Sequence, residues 1–180
     1  MNFNLHISFI VNANSKIGVG HLKRCLLIAD EFLLKGFKSS FLSFDLSLKA
    51  KGLIESKSYN LVNIIEEIYN ADSYLCLKNP NSHNLYIIDS DDNELYKEKF
   101  QKDIINGGVK LMYITLKSDL HFYSHYVLNQ NIIALDQQFI TELYTKKFLG
   151  PKYFILENEF INIKPNQFIK VKPPLNLLLT

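Results

Sequence analysis

The sequence predicts an α/β fold, in which a parallel sheet carries helices on both faces. Short apolar runs alternate with segments of helical periodicity along the 180 residues, and this alternation is typical of strands joined by crossover helices. The apolar runs predict strands at 5–11, 38–44, 60–63, 85–89, 109–115, 125–129 and 153–156. The periodic segments predict helices at 20–35, 46–57, 64–77, 92–106 and 136–147.

The first strand and the first helix have the clearest patterns. The run from Leu5 to Val11 is apolar throughout most of its length, and from Leu22 to Leu33 apolar residues recur at helical spacing. Gly107-Gly108 and Gly150-Pro151 follow the fourth and fifth predicted helices and are typical stop signals. The connection 116–124 is the least regular part, and we expect it to fold over the site.

Composition and charge exclude several classes of protein. The chain is 47% hydrophobic and 21% charged, which fits one globular domain with a sizeable core. Its 20 basic and 18 acidic residues are interspersed, so we predict no nucleic-acid partner. The sequence shows neither an apolar run of the ~18 to 20 residues that span a bilayer nor a secretory signal; we therefore predict no membrane partner and a cytoplasmic location. Cys25 and Cys76 fall in predicted helices and are expected to be reduced core residues.

Two glycines and a histidine stand where the first strand passes into the first helix. Gly18 and Gly20 permit a sharp turn, and the unpaired N–H groups of a helix start suit an anionic or polyhydroxylated ligand. The same positive helix end disfavours a protonated His21, so we expect a neutral imidazole that can act as a base. The structural alternative is a histidine that only caps the helix.

Polar residues follow three of the predicted strands. They lie at 12–21, 89–92 and 129–131. Since ligands of doubly wound sheets bind beyond the carboxyl ends of the strands, these three segments predict one cleft. The acidic run 89–94 has neither the glycine nor the spacing of a calcium loop and is more typical of a helix cap, so we predict no metal.

Four segments share their order and spacing with a known family. They are Asn12–Cys25, which contains Gly-x-Gly-His-x-x-Arg-Cys, the strand Leu85–Asp89, the strand and tip Val127–Asn131, and the segment Leu149–Phe160. Together they resemble the UDP-sugar hydrolases of the pseudaminic acid pathway. The Gly-x-Gly-His-x-x-Arg-Cys element is the most specific part of this resemblance.

The resemblance implies a reaction and a set of site residues. Water would attack the anomeric carbon of a UDP-linked 2,4-diacetamido-trideoxy sugar and release UDP, without a cofactor. His21 would be the base, and the turn from Gly18 to Gly20 would shape the sugar pocket. Asn12, Asp89 and Asn131 would hold hydroxyl or acetamido groups. Asp89 could instead orient His21 or cap a helix, and Arg24 could bind an anionic group or pair with a surface carboxylate.

Several charged positions of the family differ in this chain. The departures are Ile10 for an arginine, Asn12 for an aspartate, Ser90 and Asp91 for a His-Tyr pair, Leu116 and Lys117 near an Asp-Asp pair, and Glu157 for an arginine. They leave two alternatives open. The chain could be a diverged binding domain without catalysis, or a glycosyltransferase domain in which an acceptor hydroxyl replaces water.

The resemblance also implies a domain organisation. The family is similar to two-domain GT-B enzymes, so residues 1–170 would form a Rossmann-like amino-terminal domain on the sugar side. Residues 171–180 would form a linker and the first strand of a second domain that holds most of the nucleotide. The expected partners are therefore a UDP-sugar substrate and this second domain.

Overall fold

The computed structural model describes residues 4–64, 71–79 and 82–156. Within them lie the strands β1 Leu5–Val11, β2 Lys38–Ser43, β3 Asn60–Asn63, β4 His83–Asp89, β5 Lys110–Ile114, β6 His121–Phe122, β7 Tyr126–Asn129, β8 Ile140–Thr141 and β9 Lys146–Leu149. Seven of them form one sheet in the order β3-β2-β1-β4-β5-β7-β9, and all of its neighbouring strands are parallel. β6 and β8 pair separately. The first six predicted strands are confirmed.

Helices cover both faces of the sheet. They are α1 Gly20–Leu34, α2 Leu48–Ser56, α3 Ala71–Leu75 and α4 Glu98–Asn106. α1 and α2 share a hydrophobic core with Phe9 and Phe41, whereas α3 and α4 share a second core with Tyr86 and Tyr113 on the opposite face. The expected α/β fold, a Rossmann-like parallel sheet with helices on both faces, is thus confirmed.

β1 and α1 form where the sequence predicts them because both are buried in the middle of the fold. Ile7 and Phe9 face one core and Ile10 faces the other, so β1 is covered on both sides and is apolar at most of its positions. The apolar stripe of α1 is buried as its spacing predicts; its members are Leu22, Cys25, Leu26 and Ala29.

The prediction of a helix at 136–147 is wrong. β8 and β9 lie in this range instead, and β9 is the last strand of the sheet, parallel to β7. The helical spacing of the apolar residues did not reflect burial, because Leu143 and Tyr144 are exposed to solvent. Gly150-Pro151 therefore follows a strand, not a helix.

The prediction of a strand at 153–156 is also wrong. Pro151–Tyr153 forms a 3-10 helix, and residues 154–156 are irregular. β9 takes the place beside β7 that this segment would have needed.

The predicted helix at 92–106 is interrupted, and the predicted helix at 64–77 is described only in part. In the range 92–106, a 3-10 helix at Asn93–Tyr96 is separated from α4 by the extended backbone of Lys97 (φ −59°, ψ 138°). In the range 64–77, α3 spans Ala71–Leu75, and residues 65–70 lie outside the described part of the chain. Cys76 follows α3 and is exposed, so its expected place in the core is wrong, whereas Cys25 is buried.

Some expectations concern residues that the structure does not describe. They include Glu157, the end of the 149–160 segment and the expected linker and strand at 171–180. Among the helices formed by residues 4–64, 71–79 and 82–156, none has the length and apolar character needed to cross a membrane.

Candidate functional site

A cleft opens at the carboxyl edge of the sheet, between β1 and β4. The connections run from β1 toward β3 on one side and from β4 toward β9 on the other, so this is the switch point where such folds bind ligands. The cleft holds a cavity of about 410 Å³, a volume that suits a small-molecule ligand. Residues that follow β1, β4, β5 and β7 line it, so the predicted convergence of strand ends into one cleft is found.

Asp89 is the centre of the polar network in this cleft. It is the last residue of β4, lies beside Val11 of β1 and is completely buried. His21, on the first turn of α1, contacts it with Nδ1 2.5 Å from Asp89 Oδ1. The pairing of β4 with β1 places Asp89 beside the first turn of α1. His21 and Asp89 therefore meet although they are 68 positions apart in the chain.

Arg24 binds the same carboxylate through two hydrogen bonds. Its Nε donates to Asp89 Oδ2 and its Nη2 to Asp89 Oδ1, each at 2.6 Å. Such a two-point contact between a guanidinium and a carboxylate fixes both groups in space. Of the two roles considered for Arg24, the structure therefore shows pairing with a carboxylate, and this carboxylate is buried.

The contact with Asp89 determines how His21 can react. With the proton on Nδ1, the imidazole donates to Asp89, and Nε2 remains available on a side chain that lines the cavity. The hydrogen bond to Asp89 raises the pKa of His21 above its ordinary value, since it outweighs the opposing effect of burial. The expectation of a histidine kept neutral by the helix dipole is wrong in direction, because a carboxylate at 2.5 Å acts more strongly than a partial charge.

The glycines shape the turn that leads into α1. Gly18 has a φ of 78°, in the left-handed region that favours glycine, and Asn14 Oδ1 accepts hydrogen bonds from the backbone of Lys16 and Ile17, both at 2.8 Å. Gly20 lines the cavity. The cap position of α1 is Val19, so His21 does not cap the helix.

Four predicted binding residues do not line this cavity, namely Gly18, Asp89, Asn12 and Asn131. Gly18 and Asp89 support residues that do line it. Asn12 is buried at the end of β1, where its Oδ1 accepts a hydrogen bond from Ser43 Oγ at 3.1 Å. Asn131 caps the 3-10 helix Ile132–Leu135 by accepting from Ile133 N at 3.2 Å. Their side chains serve the local fold, and neither is among the described residues of the cavity wall.

Four further polar or exposed residues of the cavity wall, Asp91, Thr115, Leu116 and Gln130, were not predicted as binding residues. Asp91 and Gln130 lie in the segments 89–92 and 129–131 that predicted the cleft. Thr115 and Leu116 follow β5, and their place after the end of a central strand is the signal that could have identified them. Asp92, rather than Asp89, caps the helical turn that follows β4, because its side chain accepts from Glu94 N at 3.0 Å. Asp89 is therefore available to pair with His21 and Arg24, and Cys25 Sγ also lies 3.8 Å from its Oδ2.

No metal site emerges from the acidic residues near the cleft. Across the described ranges, no three His, Cys, Asp or Glu side chains are grouped so that they could hold a metal ion.

Comparisons with known proteins return no similar protein. No protein-family model matches the chain, and neither the curated proteins nor the solved structures provide a match. The class defined by fold and site is that of an α/β protein with a histidine and aspartate pair in a cleft at the switch point of a parallel sheet.

Proposed function

We propose that this chain is the amino-terminal, Rossmann-like domain of a nucleotide-sugar hydrolase of the GT-B type. It would release UDP from a UDP-linked 2,4-diacetamido-trideoxy sugar during pseudaminic-type acid or surface polysaccharide biosynthesis, in the cytoplasm. The observation that carries the proposal is the hydrogen bond between His21 Nδ1 and the buried Asp89, on the wall of a small-molecule cavity. The resemblance of Gly-x-Gly-His-x-x-Arg-Cys supports the substrate class.

His21 acts as the base in this reaction. Its Nε2 takes a proton from water, and the water oxygen forms a bond to the anomeric carbon. The bond between that carbon and the phosphate oxygen breaks, and its electron pair leaves with UDP. Asp89 holds the imidazole in the required tautomer and stabilises the positive charge that develops on it. Arg24 keeps Asp89 in place through its two hydrogen bonds.

The opposite wall of the cavity suits the remainder of the sugar. Ile114, Leu116 and Leu128 offer an apolar surface to methyl groups, whereas Thr115 and Gln130 offer partners for hydroxyl or acetamido groups. Thr115 and Gln130 thus take the substrate-binding role that the resemblance implied for Asn12 and Asn131. A second domain holds most of the nucleotide.

A diverged, non-catalytic binding domain is the second candidate. It is favoured by Leu116, a mostly exposed apolar residue on the cavity wall near the position where the resembled family has an acidic pair. In this case the cleft binds a sugar but releases no product.

Calorimetry with product analysis tests the proposal. UDP-sugar, free sugar and UDP are titrated separately into the 180-residue chain and into a version extended past Thr180, and released UDP is quantified by chromatography. We expect UDP-sugar binding and UDP release in the extended version. Binding without release favours the non-catalytic domain, and transfer of the sugar to an added acceptor favours a glycosyltransferase. No binding in either version contradicts the proposal.

A further inference from the structure

Asp91 projects a carboxylate into the cleft from a backbone that is held on both sides. Tyr96 OH donates to the carbonyl oxygen of Ser90 at 2.7 Å, and Lys117 Nζ donates to the carbonyl oxygen of Asp91 at 3.0 Å. The same ammonium group binds Asn93 Oδ1 at 2.8 Å. The Asp91 side chain itself is 76% exposed. Its position is therefore set by the backbone, while its carboxylate remains accessible from the cavity that it lines.

The carboxylate of Asp91 faces the reactive nitrogen of His21. Asp91 Oδ2 lies 3.6 Å from His21 Nε2, whereas Asp89 occupies Nδ1 on the other side of the ring. A separation of 3.6 Å is too long for a direct hydrogen bond. It is a separation at which a bridging water must be considered.

Two hydrogen-bond acceptors facing each other need a shared donor. When Nδ1 carries the proton, Nε2 presents a lone pair and Asp91 presents a carboxylate oxygen. A water molecule between them satisfies both, because it donates one hydrogen to each. Its own lone pairs then point away from both acceptors and into the open part of the cavity.

We propose that Asp91 is a second catalytic residue, which orients the attacking water by accepting one of its hydrogens while His21 Nε2 accepts the other. This inference rests on the proposed hydrolysis. The water oxygen bonds to the anomeric carbon, the bond from that carbon to the phosphate oxygen breaks, and its electron pair leaves with UDP. One water proton moves to His21 Nε2. Asp91 remains a carboxylate throughout and keeps the second hydrogen bond to the new hydroxyl group.

A purely electrostatic role of Asp91 makes a different prediction. The charged groups that face His21 are Asp89, Arg24 and Asp91. If Asp91 only stabilised protonated His21, the variant Asp91→Asn would lower the pKa of His21. The rise of activity with pH would then shift to lower pH, and the plateau at high pH would keep its height.

The pH profile of UDP release distinguishes the two roles. We expect Asp91→Asn to lower the plateau of kcat by about 10²-fold, the size of effect that a misplaced reactant produces, with KM little changed. Asp91→Glu should recover part of the loss because it restores a carboxylate. Asp92→Asn is the matched control, since Asp92 caps the neighbouring 3-10 helix and asparagine caps equally well.

Each outcome decides a separate question. The assay uses the 180-residue chain and the version extended past Thr180, with circular dichroism as the check on folding. If Asp91→Asn keeps the plateau of kcat and only shifts the rise of activity with pH, the role of Asp91 is overturned and the proposed function still stands. An unmodified protein that releases no UDP in either version overturns both.

Discussion

Two regions of the molecule pair a histidine with a carboxylate, and they differ in burial. In the cleft, His21 Nδ1 lies 2.5 Å from Asp89 Oδ1, and the two side chains are 25% and 0% exposed. On the surface, His121 Nε2 of β6 lies 3.0 Å from Glu142 Oε1, just after β8, and the side chains are 39% and 34% exposed. The ring of His121 also stacks on Tyr123.

The difference shows what makes such a pair useful for chemistry. Asp89 is fixed by its place at the end of β4 and by two further hydrogen bonds from Arg24, so it imposes one orientation on His21. Glu142 competes with water for its hydrogen bonds, and surface pairs of this kind contribute roughly 0 to 1 kcal/mol. A carboxylate held in this manner can dictate which nitrogen of the ring carries the proton.

The largest expected effect follows from neutralising the buried carboxylate. Asp89→Asn removes the negative charge that stabilises protonated His21. It also replaces one acceptor oxygen with an NH2 donor, which can hold His21 in the wrong tautomer. We expect UDP release to fall by about 10³-fold, within the range of general base catalysis. Glu142→Gln is the surface counterpart and should keep the original rate. Equal rates for the two variants would show that burial does not distinguish the pairs.

A second prediction concerns stability. Arg24→Met leaves the completely buried Asp89 without its two-point partner, so we expect the free energy of unfolding to fall by about 3 kcal/mol. Lys57→Met is the matched control, because Lys57 Nζ lies at the same 2.6 Å distance from Asp30 Oδ2, but the two side chains are 43% and 35% exposed. Lys57→Met should lower the free energy of unfolding by less than about 1 kcal/mol.

Urea denaturation at pH 7, followed by circular dichroism, measures both variants. Comparable losses in Arg24→Met and Lys57→Met would mean that Asp89 is solvated, contrary to its burial in the structure.

A third prediction concerns the pH dependence of the histidines. The hydrogen bond to Asp89 raises the pKa of His21, whereas burial, helped by Lys38, lowers the pKa of His6, and burial, helped by Lys110, lowers that of His125. NMR titration of the ring protons should give a midpoint above 6.5 for His21 and midpoints below 6.5 for the other two.

The directions of these pKa shifts determine how the contribution of each histidine to stability changes with pH. The contribution of His21 is fully present below pH 6.5 and is lost as the pH rises through its raised folded-state pKa. His6 behaves in the opposite way, since its contribution is present above pH 6.5 and is lost as the pH falls through its lowered pKa. A midpoint for His21 below 6.5 would contradict the contact with Asp89.

Sequence patterns predicted the centre of the fold but not its last edge. β1, α1 and the turn at Gly18 could be predicted from the sequence. A strand buried on both faces is rich in apolar residues, a packed helix has an apolar stripe, and a left-handed backbone favours glycine. Residues 136–147 could not be predicted correctly, because β9 is an edge strand with exposed lysines, and Ile140, Leu143 and Tyr144 before it are exposed. Their helical spacing was accidental.

The candidate site was predictable to a similar extent. His21 and Arg24 lie three residues apart on one helix, so their common face could be foreseen. Asp89 remained open among three roles, because its contact with His21 depends on the register of β4 against β1. Residue type does not show where a side chain points after the end of a strand. Asn131 was therefore predicted to bind the ligand, whereas Gln130 lines the cavity and Asn131 caps a helical turn.

His21 is the proposed base for UDP release, and the rates of UDP release by His21→Ala and His121→Ala test this role directly. Both variants remove a histidine that is paired with a carboxylate, but only His21 lines the cavity. We expect turnover to be abolished in His21→Ala and retained in His121→Ala. Unaltered turnover in His21→Ala would contradict this role.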